Sequence, residues 1–142
     1  MSKPHEILLI DDNPADAELV RICLASGPNV VNLHVAEDGG EGLRFLQREG
    51  EHANAPRPDL VLLDLSLPRI DGRKILQMIR NTADLRRLPV VVFTSSENPV
   101  DVAASYDLGA SCFVTKPITL NELERVVHAI TDFWLTVATL PA

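Results

Sequence analysis

Cysteine is scarce in this 142-residue chain: Cys23 and Cys112 are the two it has, far apart and each set among apolar neighbours. A disulfide framework is therefore excluded, and the lack of a C-x-x-C pair or any metal-ligand spacing excludes a structural zinc site. Both read as reduced, buried thiols. No apolar run approaches the roughly 20 residues of a membrane-spanning helix. The N-terminus, MSKPHEILLIDD, leads into a strand-like segment instead of a cationic leader with a cleavage site, so a cytoplasmic protein is expected. Basic residues are also short: 13 Lys and Arg face 20 Asp and Glu, a net charge of -7. Nucleic acid needs a basic face, which argues against it as a direct target. His5, His34, His52 and His128 are scattered, fall in no metal-binding pattern and are assigned no chemistry.

What is present is an ordinary globular composition, 46% hydrophobic and 23% charged, on a length that suits one domain and one sizeable core. A single domain over residues 1–142 is expected, ending in an apolar tail over 134–142 and carrying no separate output module. Short apolar runs alternate with helical patterns, without repeats or linkers. Ile7-Leu8-Leu9-Ile10 reads as a buried strand, after which Asn13 caps a helix and Pro14 occupies its first position. That helix runs through Leu19, Val20, Ile22, Cys23 and Leu24 until Gly27-Pro28 stops it. Val30 to Val35 supplies a second strand and Gly40 to Gln47 a second helix. Residues 49–58, EGEHANAPRP, are polar, hold two prolines and read as an exposed loop. A strand at 59–64 follows, then a helix from Asp71 to Asn81, a strand from Val90 to Phe93, a helix from Pro99 to Leu108, a strand from Cys112 to Val114 and a last helix from Leu120. In that last helix Leu120, Leu123, Val127, Ile130 and Trp134 form one apolar stripe. Strands alternating with helices predict an α/β fold whose parallel sheet is covered on both faces.

Polar groups follow four of the strands. Asp11 and Asp12 follow the first, Asp64 closes the third, Thr94 and Ser95 follow the fourth, and Lys116-Pro117 follow the fifth. In a parallel sheet these all emerge at one carboxyl edge, where open α/β sheets bind ligands. Three carboxylates at close quarters repel unless a cation joins them. Mg²⁺ is the natural candidate, a hard ion that takes one or two carboxylates and keeps waters beside a phosphate. Lys116 with Mg²⁺ would neutralise a transferring phosphoryl group while Thr94 donates a hydrogen bond, and a carboxylate nucleophile would give an aspartyl phosphate.

The same pieces resemble the receiver domain of two-component response regulators, over nearly the whole chain. They are LLIDDNPAD, VAEDGGEGL, LVLLDLSLPRIDGRKIL with Pro68 and Gly72, VVVFTSS and CFVTKP. The resemblance implies a flavodoxin-like sheet of order 2-1-3-4-5 and a histidine kinase partner. It implies Asp64 as phosphoacceptor and Asp11, Asp12, Asp64 and the Ser66 carbonyl around Mg²⁺. Lys116 would bind the phosphoryl group, Thr94 and Phe113 would act as the switch pair, and the Lys116-Pro117 bond would be cis. Phosphorylation would draw Thr94 toward the site and let Phe113 turn inward. The ending DFWLTVATLP and the long 49–58 loop look like the small single-domain regulators that serve bacterial phytochrome-type kinases. Those relatives can pair through the face of the fourth helix, fifth strand and fifth helix.

Three other readings fit these residues less well. A haloacid dehalogenase-type phosphatase would carry a second Asp two residues past the nucleophile, where this chain has Ser66. A nucleotide or flavin binder needs a Gly-rich or Ser/Thr-rich phosphate loop, whereas the first strand is followed by DDNPAD. A purely structural adaptor has no use for a costly carboxylate cluster.

Overall fold

An apolar run too short for a helix is buried on both sides only in the middle of a covered parallel sheet. The computed structural model, which describes residues 3 to 141, places three such runs there. The order along the chain is β1 (His5–Ile10), α1 (Pro14–Ala25), β2 (Val31–Ala36), α2 (Gly39–Gln47), β3 (Leu60–Leu63), α3 (Gly72–Asn81), β4 (Val90–Thr94), α4 (Pro99–Asp107), β5 (Cys112–Thr115) and α5 (Leu120–Asp132). All strand pairs are parallel, and the sheet order is β2-β1-β3-β4-β5. This is the expected flavodoxin-like doubly wound sheet. Among the described residues no helix is long and apolar enough to cross a membrane.

Alternation along the strands divides the core in two. Ile7, Leu9, Leu60, Leu62, Val91 and Phe93 point to the face covered by α1 and α5, where they meet Val20, Cys23, Leu24, Leu123, Val127 and Ile130. Leu8, Ile10, Val61, Leu63, Val90 and Val92 point to the other face and meet Leu43, Phe45 and Leu46 of α2 and Ile75, Leu76 and Ile79 of α3. Full burial of one such aliphatic side chain contributes about 1.5–3 kcal/mol. The central strands therefore form the rigid part of the molecule. By contrast Ser105 is the only fully buried residue of α4. A helix held by so few buried contacts is the one most easily displaced.

Local chemistry sets the helix starts. Asn13 accepts from the backbone N–H of Ala15 and Asp16 at 3.0 and 3.1 Å, with Pro14 at the first helical position. Asp38, Asp71, Asn98 and Thr119 cap the other four helices in the same way.

Besides shifts of a residue or so at the ends of elements, the structure adds to or departs from the sequence reading at several places. Leu120, the first member of the apolar stripe and the first residue of α5, is 52% exposed; Leu123, Val127 and Ile130 are buried as expected. The 49–58 loop is largely exposed as expected, but it contains a 3₁₀ turn at Gly50–His52, and Arg57 ties it to the Asp84 carbonyl at 2.6 Å. Cys112 is half-buried, since β5 is an edge strand, whereas Cys23 is fully buried; both thiols are free, and burial raises both thiol pKa values. The tail does not simply extend α5: Phe133–Val137 form a π-helical turn in which Trp134 and Leu135 pack on the α1/α5 core while Phe133 and Val137 are exposed.

Candidate functional site

The register carries the polar groups to one rim. Ile10 pairs with Leu63, so Asp11 and Asp64 leave adjacent strands at the same level, and Phe93 pairs with Val114, which brings Thr94 and Thr115 level and Lys116 just beyond. The Asp64 N–H donates to the Ile10 carbonyl at 3.0 Å and the Lys116 N–H to the Thr94 carbonyl at 2.7 Å, so each loop leaves its strand under backbone control. Asp11 and Asp64 are buried, Asp12 is exposed, and one oxygen from each lies within 4.8 Å of the others.

Asp64 is held from both ends. Its Oδ1 accepts from the Thr94 hydroxyl at 2.8 Å and from the Ser66 backbone N–H at 3.1 Å, and its Oδ2 accepts from Lys116 Nζ at 2.9 Å. Asp11 Oδ1 accepts from the Asn13 N–H at 2.9 Å, and its Oδ2 accepts from Lys116 at 2.7 Å. Thr94 is fully buried and its hydroxyl is already in the site, so no approach from outside is needed for it to reach Asp64. Phe113 is half-buried and packs against the α2/α3 core, and its N–H donates to the Tyr106 hydroxyl at 3.2 Å.

The charges are unevenly matched. Burial opposes the charge on Lys116, but hydrogen bonds and attraction from Asp11 and Asp64 outweigh it and hold the ammonium well above its ordinary pKa. Burial raises the Asp11 pKa, and its bond to Lys116 offsets this only in part, with the Asp64 charge adding to the rise. The two directions agree once it is seen that one ammonium serves several carboxylates: the cation gains from all of them, and each anion has a fraction of a counter-ion. Such a pocket suits a further cation. A divalent ion that takes a few carboxylate oxygens and keeps waters matches two buried acids and one exposed acid open to solvent.

One expectation is corrected. The Lys116-Pro117 bond, cis by resemblance, is trans, and no peptide bond among the described residues is cis. Trans is the intrinsically favoured isomer of X-Pro bonds, and in it Lys116 already reaches the carboxylates. The segment from Gly40 is helical as expected: α2 begins at Gly39 behind the Asp38 cap.

Two features escaped the sequence. Asp16 Oδ2 accepts from Lys116 Nζ at 3.0 Å, a third carboxylate on the same ammonium. Its place in the first turn after Pro14 was legible, but an acid there is equally expected as a partner of the helix dipole. Beside the site, the Ser96 hydroxyl donates to Asp101 at 2.6 Å, and Arg73 donates to the other Asp101 oxygen at 2.7 Å, joining the loop after Thr94 to α4 and to the start of α3. Nothing in the spacing of these three residues announced that contact. A cleft of about 570 Å³ lined by Asp16, Ser95, Glu97, Thr115, Lys116, Pro117 and Ile118 borders the site. The larger groove, about 650 Å³, lies elsewhere, among Arg48, Arg57, Arg86 and Arg87.

Comparison with known proteins agrees with this geometry. The family model described as the response regulator receiver domain matches residues 7–128. The chain is 46% identical over 139 residues to the response regulator Rcp1 of a Synechocystis species, covering 98% of this chain and 95% of that protein. Among solved structures, the phosphorylated cyanobacterial phytochrome response regulator RcpA matches with a TM-score of 0.94 and 44% identity over 99% of this chain and all of its own. The Mn²⁺-bound form of Rcp1 matches at 0.91 with 46% identity, over 98% of this chain and all of its own. The protein is a two-component response regulator, and its chain belongs to the response regulator receiver domain family.

Proposed function

We propose that Asp64 accepts a phosphoryl group from the phosphohistidine of a phytochrome-type histidine kinase in a Mg²⁺-dependent reaction. The single observation that carries this is the convergence of Lys116, Thr94 and the Ser66 N–H on the Asp64 carboxylate within 2.8 to 3.1 Å, beside Asp11 and Asp12. A buried carboxylate with an ammonium and a hydroxyl already aimed at it is arranged for charge developing on a phosphoryl group. The phytochrome assignment is supported by relatives described as cyanobacterial phytochrome and bacteriophytochrome response regulators.

In the proposed reaction an Asp64 oxygen attacks phosphorus, the kinase P–N bond breaks, and the released imidazole retains the electron pair and takes up a proton. Lys116 and Thr94 then turn their hydrogen bonds from the carboxylate to the phosphoryl oxygens. Mg²⁺, held by Asp11, Asp12, Asp64 and the Ser66 carbonyl, would offset negative charge on those oxygens. The same groups would assist hydrolysis of the acyl phosphate, with the small Ser66 and Ser96 side chains leaving room for water, so the protein acts on itself and turns over no separate substrate.

The kinase must dock beside this rim. Ile118 is fully exposed next to Lys116, and Leu19, Ile22 and Leu120 are exposed on the neighbouring turns, an apolar margin suited to a kinase helix presenting its histidine. Output would pass through α4, the helix with the least burial, whose position is tied to Ser96 through Asp101. Transfer of the Thr94 hydrogen bond to the phosphoryl group would shift this loop and the Phe113 ring, changing the affinity of the α4 face for another protein or for an onward phosphoacceptor. A homodimer through α4, β5, α5 and the C-terminal tail fits the edge position of β5 and the exposure of Val100, Tyr106, Phe133 and Val137. All this suits a cytoplasmic regulator that works through contacts with other proteins.

The test is Asp64→Asn with a phytochrome-type kinase and radiolabelled ATP. The variant should fold and incorporate no label; incorporation at the wild-type level would exclude Asp64 as acceptor.

A further inference from the structure

Lys116 Nζ has three hydrogens to donate, and three carboxylates take them: Asp11 at 2.7 Å, Asp64 at 2.9 Å and Asp16 at 3.0 Å. None is left over. The two shortest of these bonds end on Asp11 Oδ2 and Asp64 Oδ2, and the second oxygen of each carboxylate is already engaged by Asn13 or by Ser66 and Thr94. An ammonium in contact with those oxygens competes with any divalent cation that needs the same two acids, since the charges repel and the lone pairs are shared.

Asp16 differs from the other two acceptors. It lies on α1, outside the acidic triad, and its side chain is 36% exposed, against 1% for Asp11 and 9% for Asp64. It is therefore the acceptor that a bound cation would leave free. We infer that Asp16 is a positioning residue: it is the berth to which the Lys116 ammonium retreats when Asp11 and Asp64 become cation ligands, and from which that ammonium can turn to a phosphoryl oxygen. This rests on the reading of the site as a Mg²⁺-dependent phosphoacceptor. The geometry behind it is independent of any relative, because it consists of one ammonium, three acceptors and their unequal exposure.

The alternative is that Asp16 only favours the α1 N-terminus, as an acid in a first turn does. The two roles separate in a double-mutant cycle, because only the first acts through Lys116. Mg²⁺ affinity would be measured calorimetrically on the intact chain for wild type, Asp16→Asn, Lys116→Met and the double variant, with Asp16→Glu as the charge-conserving control. Without its berth the ammonium stays on Asp11 and Asp64, so Asp16→Asn should weaken Mg²⁺ binding about three- to tenfold. In the Lys116→Met background the same change should cost about twofold or less, the residue of screened long-range attraction. Asp16→Glu should lie within about twofold of wild type.

Unchanged affinity in Asp16→Asn, equal weakening in both backgrounds, or Asp16→Glu as weak as Asp16→Asn would each overturn the inference while leaving the receiver site intact. Should Lys116→Met not fold, the Asn and Glu pair decides alone: loss with Asn and recovery with Glu supports the berth. Failure of the wild type to bind Mg²⁺ at all would instead overturn the phosphoacceptor reading, and the inference with it.

Discussion

Gly72 offers the sharpest test of how the fold positions the candidate phosphoacceptor. It opens α3, and its N–H donates to the Leu65 carbonyl at 3.1 Å, so the helix start lies directly against the end of β3. A Cβ at this position would stand 2.3 Å from the Asp64 carbonyl oxygen and 2.6 Å from Leu65 Cα, both backbone atoms with no rotamer to yield. Restoring an ordinary contact of 3.4 Å requires the two backbones to part by about 1 Å. The backbone that must move is that of Asp64 itself. The hydrogen bonds from Thr94, Lys116 and Ser66 now span 2.8 to 3.1 Å, and an outward shift of about 1 Å takes them beyond hydrogen-bonding range. Gly72→Ala should therefore cost about 1–3 kcal/mol in stability through overpacking and slow phosphorylation about 100-fold, the usual penalty for misplacing a reacting group by that distance. The assay is intact-mass detection of phosphorylation by a small phosphodonor in saturating Mg²⁺, at a temperature where circular dichroism shows the variant folded. Gly50→Ala is the control: Gly50 has φ +58 with nothing within 4 Å of its Cβ. That change should cost about 1 kcal/mol of backbone strain and leave the phosphorylation rate unaltered. If Gly72→Ala were phosphorylated within about threefold of wild type, the reasoning that ties the helix start to Asp64 would be wrong.

Three further outcomes are expected. Lys116→Met leaves Asp11 and Asp64 buried without their counter-ion and should cost about 3–5 kcal/mol in metal-free buffer. Because the folded-state pKa of Lys116 lies above its ordinary value, its stabilising contribution is complete below about pH 10.4 and fades as the pH climbs through the raised value. Urea unfolding of both proteins should show a constant gap from about pH 7 to 10 that narrows above; a gap that widened would reverse the assignment. Asn13→Ala removes the acceptor for two N–H groups at the start of α1 and should lower stability by about 1 kcal/mol by thermal melting, a change under about 0.3 kcal/mol meaning that water replaces the cap. Ile118→Asp should slow transfer from a phytochrome-type kinase about tenfold or more without altering phosphorylation by a small phosphodonor. Equal slowing with both donors would place its effect in the site instead of the docking margin.

The candidate site was legible in the sequence because each of its groups sits at the end of a strand or just past it, and a parallel sheet brings all such positions to one edge. Asp11, Asp12, Asp64, Thr94 and Lys116 could be gathered on that rule alone, before any distance was known. The strands were legible for a related reason, since Leu60-Val61-Leu62-Leu63 is too short and too uniformly apolar for anything but a strand covered on both faces. The start of α1 was written in Asn13-Pro14, where side chain and ring do locally what the helix needs.

Tertiary structure decided what depends on distance between groups with no fixed separation in the chain. Whether Asp16 is a dipole partner or a ligand for Lys116 turns on the reach of a flexible ammonium across 100 residues, and only the packed sheet sets that reach. The Ser96, Asp101 and Arg73 contact, the trans Lys116-Pro117 bond, the exposure of Leu120 and the turn formed by Phe133–Val137 are of the same kind. Period and composition act within a few residues along the chain, which is enough to specify strands, caps and the edge at which polar groups emerge. Which donor meets which acceptor there is fixed by the positions of five strands at once, and no local pattern encodes it.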